Sequence, residues 1–173
     1  MRACYLHEAG HAIVAIHYGQ IVNEVKCDGA EGHVDREDPP ILLQRKAALE
    51  SAFKNRQTSP EQLLKLALSV WEGDLVTLLA GLAGESLELG RPLTSICRGA
   101  DDLASTFMII APLLGPFPIG DKHARLTSTF RSMSEKANEL TKQKQKEIRS
   151  IADALQVKHL MSKSEIDFVL AGN

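Results

Sequence analysis

"HEAGHAIVAIH", residues 7–17, opens with the pattern H-E-x-x-H. From Ala3 to Tyr18 the chain has no proline, is rich in alanine, isoleucine and histidine, and stops at Gly19. It therefore reads as a helix closed by a C-terminal glycine cap. Each helical residue turns about 100°, which puts His7 and His11 only about 40° apart on one face. Both imidazoles can then reach one ion, at roughly 2.0–2.1 Å for zinc. Glu8 projects beside that ion rather than onto it, where a general base has to stand to take a proton from water. Gly10 lies inside the helix, where glycine costs about 1 kcal/mol against alanine. Its presence predicts a second backbone packed closely against it.

Two histidines rarely hold a catalytic zinc alone, so a third ligand is expected. His17 stands where H-E-x-x-H-x-x-G-x-x-H places its last histidine. The glycine that turns the chain in that pattern is replaced here by Val14, a β-branched residue that resists positive φ. On a continuing helix His17 points about 240° away from His11. Carboxylates remain: Glu85 or Glu88 in "LAGESLELG", and Asp101 or Asp102 in "GADDL". The residues themselves leave these open.

The rest of the chain is mostly helical in pattern. "IVNEVKCDGAEGHVD" has Val22–Cys27 and Gly32–Asp35 on either side of an Asp-Gly turn, a short hairpin. "ILLQRKAALESAFKNR" is helical. After "TSPEQ", where Ser59 caps and Pro60 takes the first helical position, a second helical pattern runs on towards Leu89, with Gly73 read as a break. "GRPLTSICRGA" reads as a loop, "DDLASTFMIIA" as a helix with acidic residues at its start, and "PLLGPFPIGD" as an irregular connector. A long polar helix is expected from His123 to about Gln156. A closing helix starts at "SKSE", where Ser162 and Glu165 have capping-box spacing. The expected fold is mainly α, one domain over residues 1–173, with a small β-hairpin after the first helix. Residues 1–120 would form the catalytic core and 121–173 the C-terminal helices.

With 173 residues, 44% hydrophobic and 24% charged, the composition is that of an ordinary globular protein. A net charge of −2 gives no electrostatic basis for nucleic-acid or anionic-membrane binding. No uninterrupted apolar run reaches the ~18 residues of a membrane span, and with the motif so early no signal peptide is expected ahead of it. Cys4, Cys27 and Cys97 are odd in number and lack C-x-x-C spacing. That suits a reducing, cytoplasmic setting and argues against a disulfide framework or a thiolate zinc site. His33, on a hairpin strand, and His123 and His159, in polar surroundings, are expected at the surface. Cys97 is read as a packed thiol and Trp71 as core or interface. "KQKQKE" is read as a solvated helix face.

Several segments together resemble the zinc peptidase domain of the FtsH-type AAA proteases. "HEAGHAIVA" is similar to that family's motif helix, "LLAGLAGESLELG" to its "GGRAAEELxFG" helix and "RGADDLAST" to its "GASNDLxxAT" segment. "LLGPFPIG" is similar to its "LGPVxFG" loop, and "LMSKSEIDFVL" to its closing "LxExExLxxxEI" helix. The poorest match is residues 36–70. The resemblance implies a zinc ion held by His7, His11 and Asp102, with Glu8 as general base. It implies a capping or supporting role for Asp101 and a supporting role for Glu85. Ser86 and Leu82 depart from the family, which usually has Glu and Arg there. No P-loop motif G-x-x-x-x-G-K-[ST] occurs, so no ATPase and no membrane segment of that family is expected in this chain.

These readings lead to a zinc metalloendopeptidase, independent of ATP, acting on flexible or unfolded polypeptide. The rival is a zinc-binding scaffold or partner-binding module of the same fold without turnover. The resemblance implies six-membered rings; the polar helix at 123–156 and the Leu75–Leu89 helix are the candidate faces for self-association.

Overall fold

The computed structural model describes residues 2–54, 58–90 and 100–172. It is mainly α-helical, with seven helices among the described residues and a small antiparallel sheet. The first helix, α1 (Arg2–His17), is buried along nearly its whole length, including Leu6, Ala9, Gly10, Ala12, Val14 and Ala15. A helix apolar all round belongs in a core. Its end is built by Gly19, at φ 76°. The Gly19 N–H donates to the Ile16 carbonyl at 2.9 Å and the Gln20 N–H to the Ala15 carbonyl at 3.0 Å, a Schellman closure.

The chain then forms β1 (Ile21–Cys27) and β2 (Gly32–Glu37), paired antiparallel. Asp28 builds the turn between them: its Oδ1 accepts the Ala30 and Glu31 N–H groups at 2.8 and 2.9 Å. The expected hairpin is part of a larger element. A third strand, β3 (Leu160–Ser162), pairs with the other side of β1, giving the order β2-β1-β3.

Helix α2 (Pro40–Lys54) precedes the 30-residue α3 (Pro60–Leu89). The start of α3 is the capping box expected there: the Gln62 N–H donates to Ser59 Oγ, the Ser59 N–H returns to Gln62 Oε1, and Pro60 follows. The break read at Gly73 does not occur. The helix runs through it, and a Cβ there would lie 3.1 Å from Tyr18 Cβ, so this glycine seats the Tyr18 ring. Pro60–Glu88 is long and apolar enough to cross a bilayer although no unbroken apolar run marks it; 67% of its most apolar window is buried within the protein, as in a core helix.

Helix α4 (Ala100–Leu113) extends through Pro112, so the expected connector shrinks to residues 114–118. The single long polar helix is two, α5 (Ile119–Gln143) and α6 (Gln145–Lys158), separated at Lys144 with φ −97° and ψ 15°. Helix α7 (Lys163–Leu170) starts at Ser162, whose N–H donates to Glu165 Oε2 at 2.9 Å. The "RPLTSICRG" part of the expected loop, residues 91–99 with Cys97, lies outside the described residues.

Two apolar clusters flank α1. One joins Leu6, Ile13 and Val25 to Ile148, Ile151, Leu155 and Met161. The other joins Val14 to Leu75, Leu79, Ile110, Met133 and Leu140, with Trp71 packed against it. Helix α1 is thus held between the sheet with α6 on one side and α3 on the other. Polar groups lock the sheet to α2 and α3. Asp74 Oδ1 accepts from Gln20 at 2.9 Å and Arg36 at 3.1 Å, while Asp74 Oδ2 and Asp38 Oδ2 accept from Lys46 at 2.7 and 2.6 Å.

Candidate metal centre

The crossing of α1 and α3 places the two histidines. Where α1 meets α3, a Cβ on Gly10 would strike the Ala80 carbonyl oxygen, and one on Gly84 would strike that of Leu6. Only glycine permits this approach. The expectation of a tight backbone contact at Gly10 is met, and the opposing surface is small as well. Gly81 faces the histidines: its Cβ would be 2.6 Å from His11 Cε1 and 2.7 Å from His7 Nε2. The imidazoles therefore occupy room that any larger residue at 81 would fill.

The far nitrogen of each ring is held. His7 Nδ1 lies 2.8 Å from Glu85 Oε1, and His11 Nδ1 lies 2.7 Å from the Thr77 carbonyl oxygen. A carbonyl oxygen only accepts, so His11 carries a proton on Nδ1 and turns its Nε2 lone pair inward. The carboxylate of Glu85, 1% exposed, imposes the same tautomer on His7. Such partners on the outer nitrogen are the usual support of metal-binding histidines.

The inner nitrogens converge. His7 Nε2 and His11 Nε2 are 2.9 Å apart, and Asp102 Oδ2 lies 2.9 Å from the first and 3.4 Å from the second. Ligands about 2.0–2.1 Å from a tetrahedral zinc stand roughly 3.3 Å from one another; the His11–Asp102 separation matches this, and the two at 2.9 Å would open by about 0.4 Å around an ion. Without a metal, a proton on His7 Nε2 joins it to Asp102 at 2.9 Å, and an ion on the trio would take that proton's place. Burial pushes the His7 imidazole down, yet its bonds to Asp102 and Glu85 win and raise it to about 9. Burial likewise works against ionised Asp102, but His11 and His7 hold its carboxyl well below the usual range.

Glu8 is 6% exposed and borders the same space. Burial pushes its carboxyl up, against the pull of His11 and His7. A cleft of about 250 Å³ opens there, lined by Glu8, His11 and Asp102, by Leu78, and by Gly32, His33, Val34 and Arg36 of β2. Any Cβ on Gly32 would overlap the Glu8 side chain, so the strand start is shaped around this carboxylate.

The other candidates lie elsewhere. Asp101 and Glu88 are exposed, and neither joins the cluster of His7, His11 and Asp102. His17 is exposed and packs edge-on against Tyr18, with ring centroids 5.4 Å apart. His123 is exposed, and His159 sits near Tyr5 with its Nδ1 3.3 Å from the hydroxyl. His33 is exposed as expected, but it faces the cleft. Ser86 donates to the Ala83 carbonyl and Leu82 is fully buried, so both departures from the resembled family lie on α3 without disturbing the trio. Sequence reading overlooked Thr77, whose contribution is a main-chain carbonyl, and Gly81 and Gly84. The i, i+3 glycines in "AGLAGE" were the available signal. No protein-family model matches the chain, and no curated protein matches it.

Proposed function

We propose that the chain is a zinc-dependent metalloendopeptidase of flexible or unfolded polypeptides, of the FtsH-like kind its motifs resemble. One observation carries this reading: His7 Nε2, His11 Nε2 and Asp102 Oδ2 converge at the wall of a cleft lined by His11, Asp102 and the buried Glu8. Zinc on this trio would supply a polarising Lewis acid for the scissile carbonyl and a water acidified towards about pH 7. Glu8 takes the proton of the attacking water and delivers it to the departing amine nitrogen as the C–N bond breaks. Its burial suits that work, because a carboxylate poised above its ordinary range holds a proton more readily. A scaffold that merely bound zinc would need no carboxylate in the cleft.

The surroundings support a peptide as substrate. Strand β2 is an edge of the sheet and lines the cleft with Gly32, His33, Val34 and Arg36. An extended chain added along that edge passes the trio. The test is Glu8→Gln assayed on a fluorescently labelled, denatured protein. The variant should keep its zinc and lose cleavage by about 10²–10⁴-fold. Equal cleavage by the wild type and the variant would overturn the reading, as would a zinc-loaded wild type that cleaves nothing. Val34→Pro tests the edge and should reduce cleavage while zinc is retained.

A further inference from the structure

Cys4 and Cys27 are 23 positions apart in sequence, yet their sulfurs meet at 3.0 Å, with the Cys27 S–H directed at Cys4 Sγ. Cys4 is 5% exposed and Cys27 0%. Neither belongs to the His7–His11–Asp102 trio. Both backbones are fixed. Cys4 stands in the first turn of α1, and Cys27 ends β1, the central strand. The Cys27 N–H donates to the His159 carbonyl at 2.9 Å, and the Gly29 N–H points at Cys27 Sγ from 3.4 Å. Sulfurs presented this way need to close only about 1 Å to reach the ~2.05 Å of a disulfide.

We propose that Cys4 and Cys27 are a modification site: a reversible disulfide formed by hydroperoxide oxidants, which clips the start of α1 to the sheet. Cys4, the residue with the little exposure there is, acts as the nucleophile, its developing negative charge favoured by the first-turn amides of α1 and by the Cys27 S–H directed at it. Its sulfur attacks one oxygen of hydrogen peroxide. The O–O bond breaks, and a sulfenic acid and one water result. The Cys27 sulfur then attacks the Cys4 sulfur; the S–S bond forms, the S–O bond breaks, and hydroxide leaves with the Cys27 proton as a second water. Two thiols have given two electrons to one peroxide. A small thiol reverses the step by exchange. Hydrogen peroxide is little larger than water, which suits a nearly closed site.

The bond would bear on the cleft. Cys4 precedes His7 by three residues, about one helical turn, and the hairpin that Cys27 anchors carries Gly32 against Glu8. Paired thiols in a reducing setting are reduced at rest and linked only under oxidant, the usual behaviour of such sensors. Oxidation requires no metal, so the pair stands apart from the peptidase reading.

The experiment treats the reduced, full-length wild-type chain with hydrogen peroxide and follows intact mass and peptide maps, with Cys97→Ala as a companion. The expected product has lost two hydrogens, yields a Cys4–Cys27 linked peptide and returns to the starting mass with dithiothreitol. Its thermal midpoint should rise by about 5–10 °C over the reduced protein. Cys27→Ala should gain oxygen at Cys4 instead of a link; if that variant fails to fold, the wild-type map decides alone. Whole oxygens added to the wild type without a Cys4–Cys27 link would overturn the proposal. So would both thiols surviving peroxide that fully oxidises glutathione, or a link formed only to Cys97.

Discussion

Gly81→Ala changes no candidate ligand, yet it should weaken zinc binding severely. The added Cβ would lie 2.6 Å from His11 Cε1 and 2.7 Å from His7 Nε2, whereas ordinary contact begins at 3.4 Å. The His11 ring, whose Nε2 is nearer still, must therefore retreat by more than about 0.8 Å and the His7 ring by about 0.7 Å, or α3 must move. Helix α3 cannot withdraw cheaply, because Gly10 against Ala80 and Gly84 against Leu6 fix its distance from α1. Metal–ligand distances tolerate about ±0.2 Å. Retreat also stretches the 2.8 Å and 2.7 Å bonds that orient the rings. Loss of such orientation alone lowers metal affinity by roughly 10–100-fold, about 1.4–2.7 kcal/mol. Metal-free stability should move much less: overpacking costs about 1–3 kcal/mol, and alanine returns up to about 1 kcal/mol of helix propensity. Zinc affinity is measured by competition with a chromophoric chelator, and stability by denaturant unfolding of the metal-free protein. Gly120→Ala is the control, since a Cβ at that position meets nothing within 4 Å. A zinc dissociation constant for Gly81→Ala within about twofold of wild type would show that the rings are not seated against α3.

Other consequences are open to simple measurement. Glu85→Gln keeps the size of the group on His7 Nδ1 but removes its charge, so zinc affinity should fall about 10–100-fold by the same competition assay. Asp74→Ala leaves Lys46 and Arg36 largely buried with one carboxylate fewer. Chemical denaturation should show a loss of about 3–5 kcal/mol, as for other broken buried ion pairs, and a loss below 1 kcal/mol would mean the network is solvated. Burial first, and then Glu72, whose carboxylate accepts the Tyr18 hydroxyl at 3.2 Å, push Tyr18 from 10.0 up to about 12. The folded-state value is the higher one, so this contribution to stability is complete below pH 10 and is lost as pH rises through about 12. Burial also raises Tyr5, so ultraviolet titration of the native chain should find both tyrosines mostly unionised at pH 10. Glu72→Gln should bring Tyr18 back towards its ordinary range, and half-ionisation of the native wild type at pH 10 would contradict the packing.

Much of the site could be read from local sequence, because helical geometry decides it. His7, Glu8 and His11 follow from a four-residue spacing, and Gly19, Ser59 and Pro60 end or begin helices by their own backbone chemistry. Asp102 is different. Spacing left it level with Glu85, Glu88 and Asp101, and only the resemblance selected it; what brings it within 2.9 Å of His7 is the packing of α4 beside α3. Strand β3 has three residues, too few for any period, and it exists because β1 offers an unpaired edge. The turn at Lys144 was hidden because both flanks have the same polar, amphipathic pattern. Gly73 was misread because glycine in a helix signals either a break or a close neighbour, and Tyr18, the neighbour here, is 55 positions away. The meeting of Cys4 with Cys27 is likewise a product of tertiary packing, with no spacing rule to announce it.

The central claim is that His7, His11 and Asp102 form one zinc site. Elemental analysis of wild type and Asp102→Ala, purified side by side without chelators and then offered zinc, tests it most directly. The account predicts close to one zinc per wild-type chain and a sharply reduced content in the variant. Equal zinc in the two proteins would contradict it, and so would a folded wild type that takes up none.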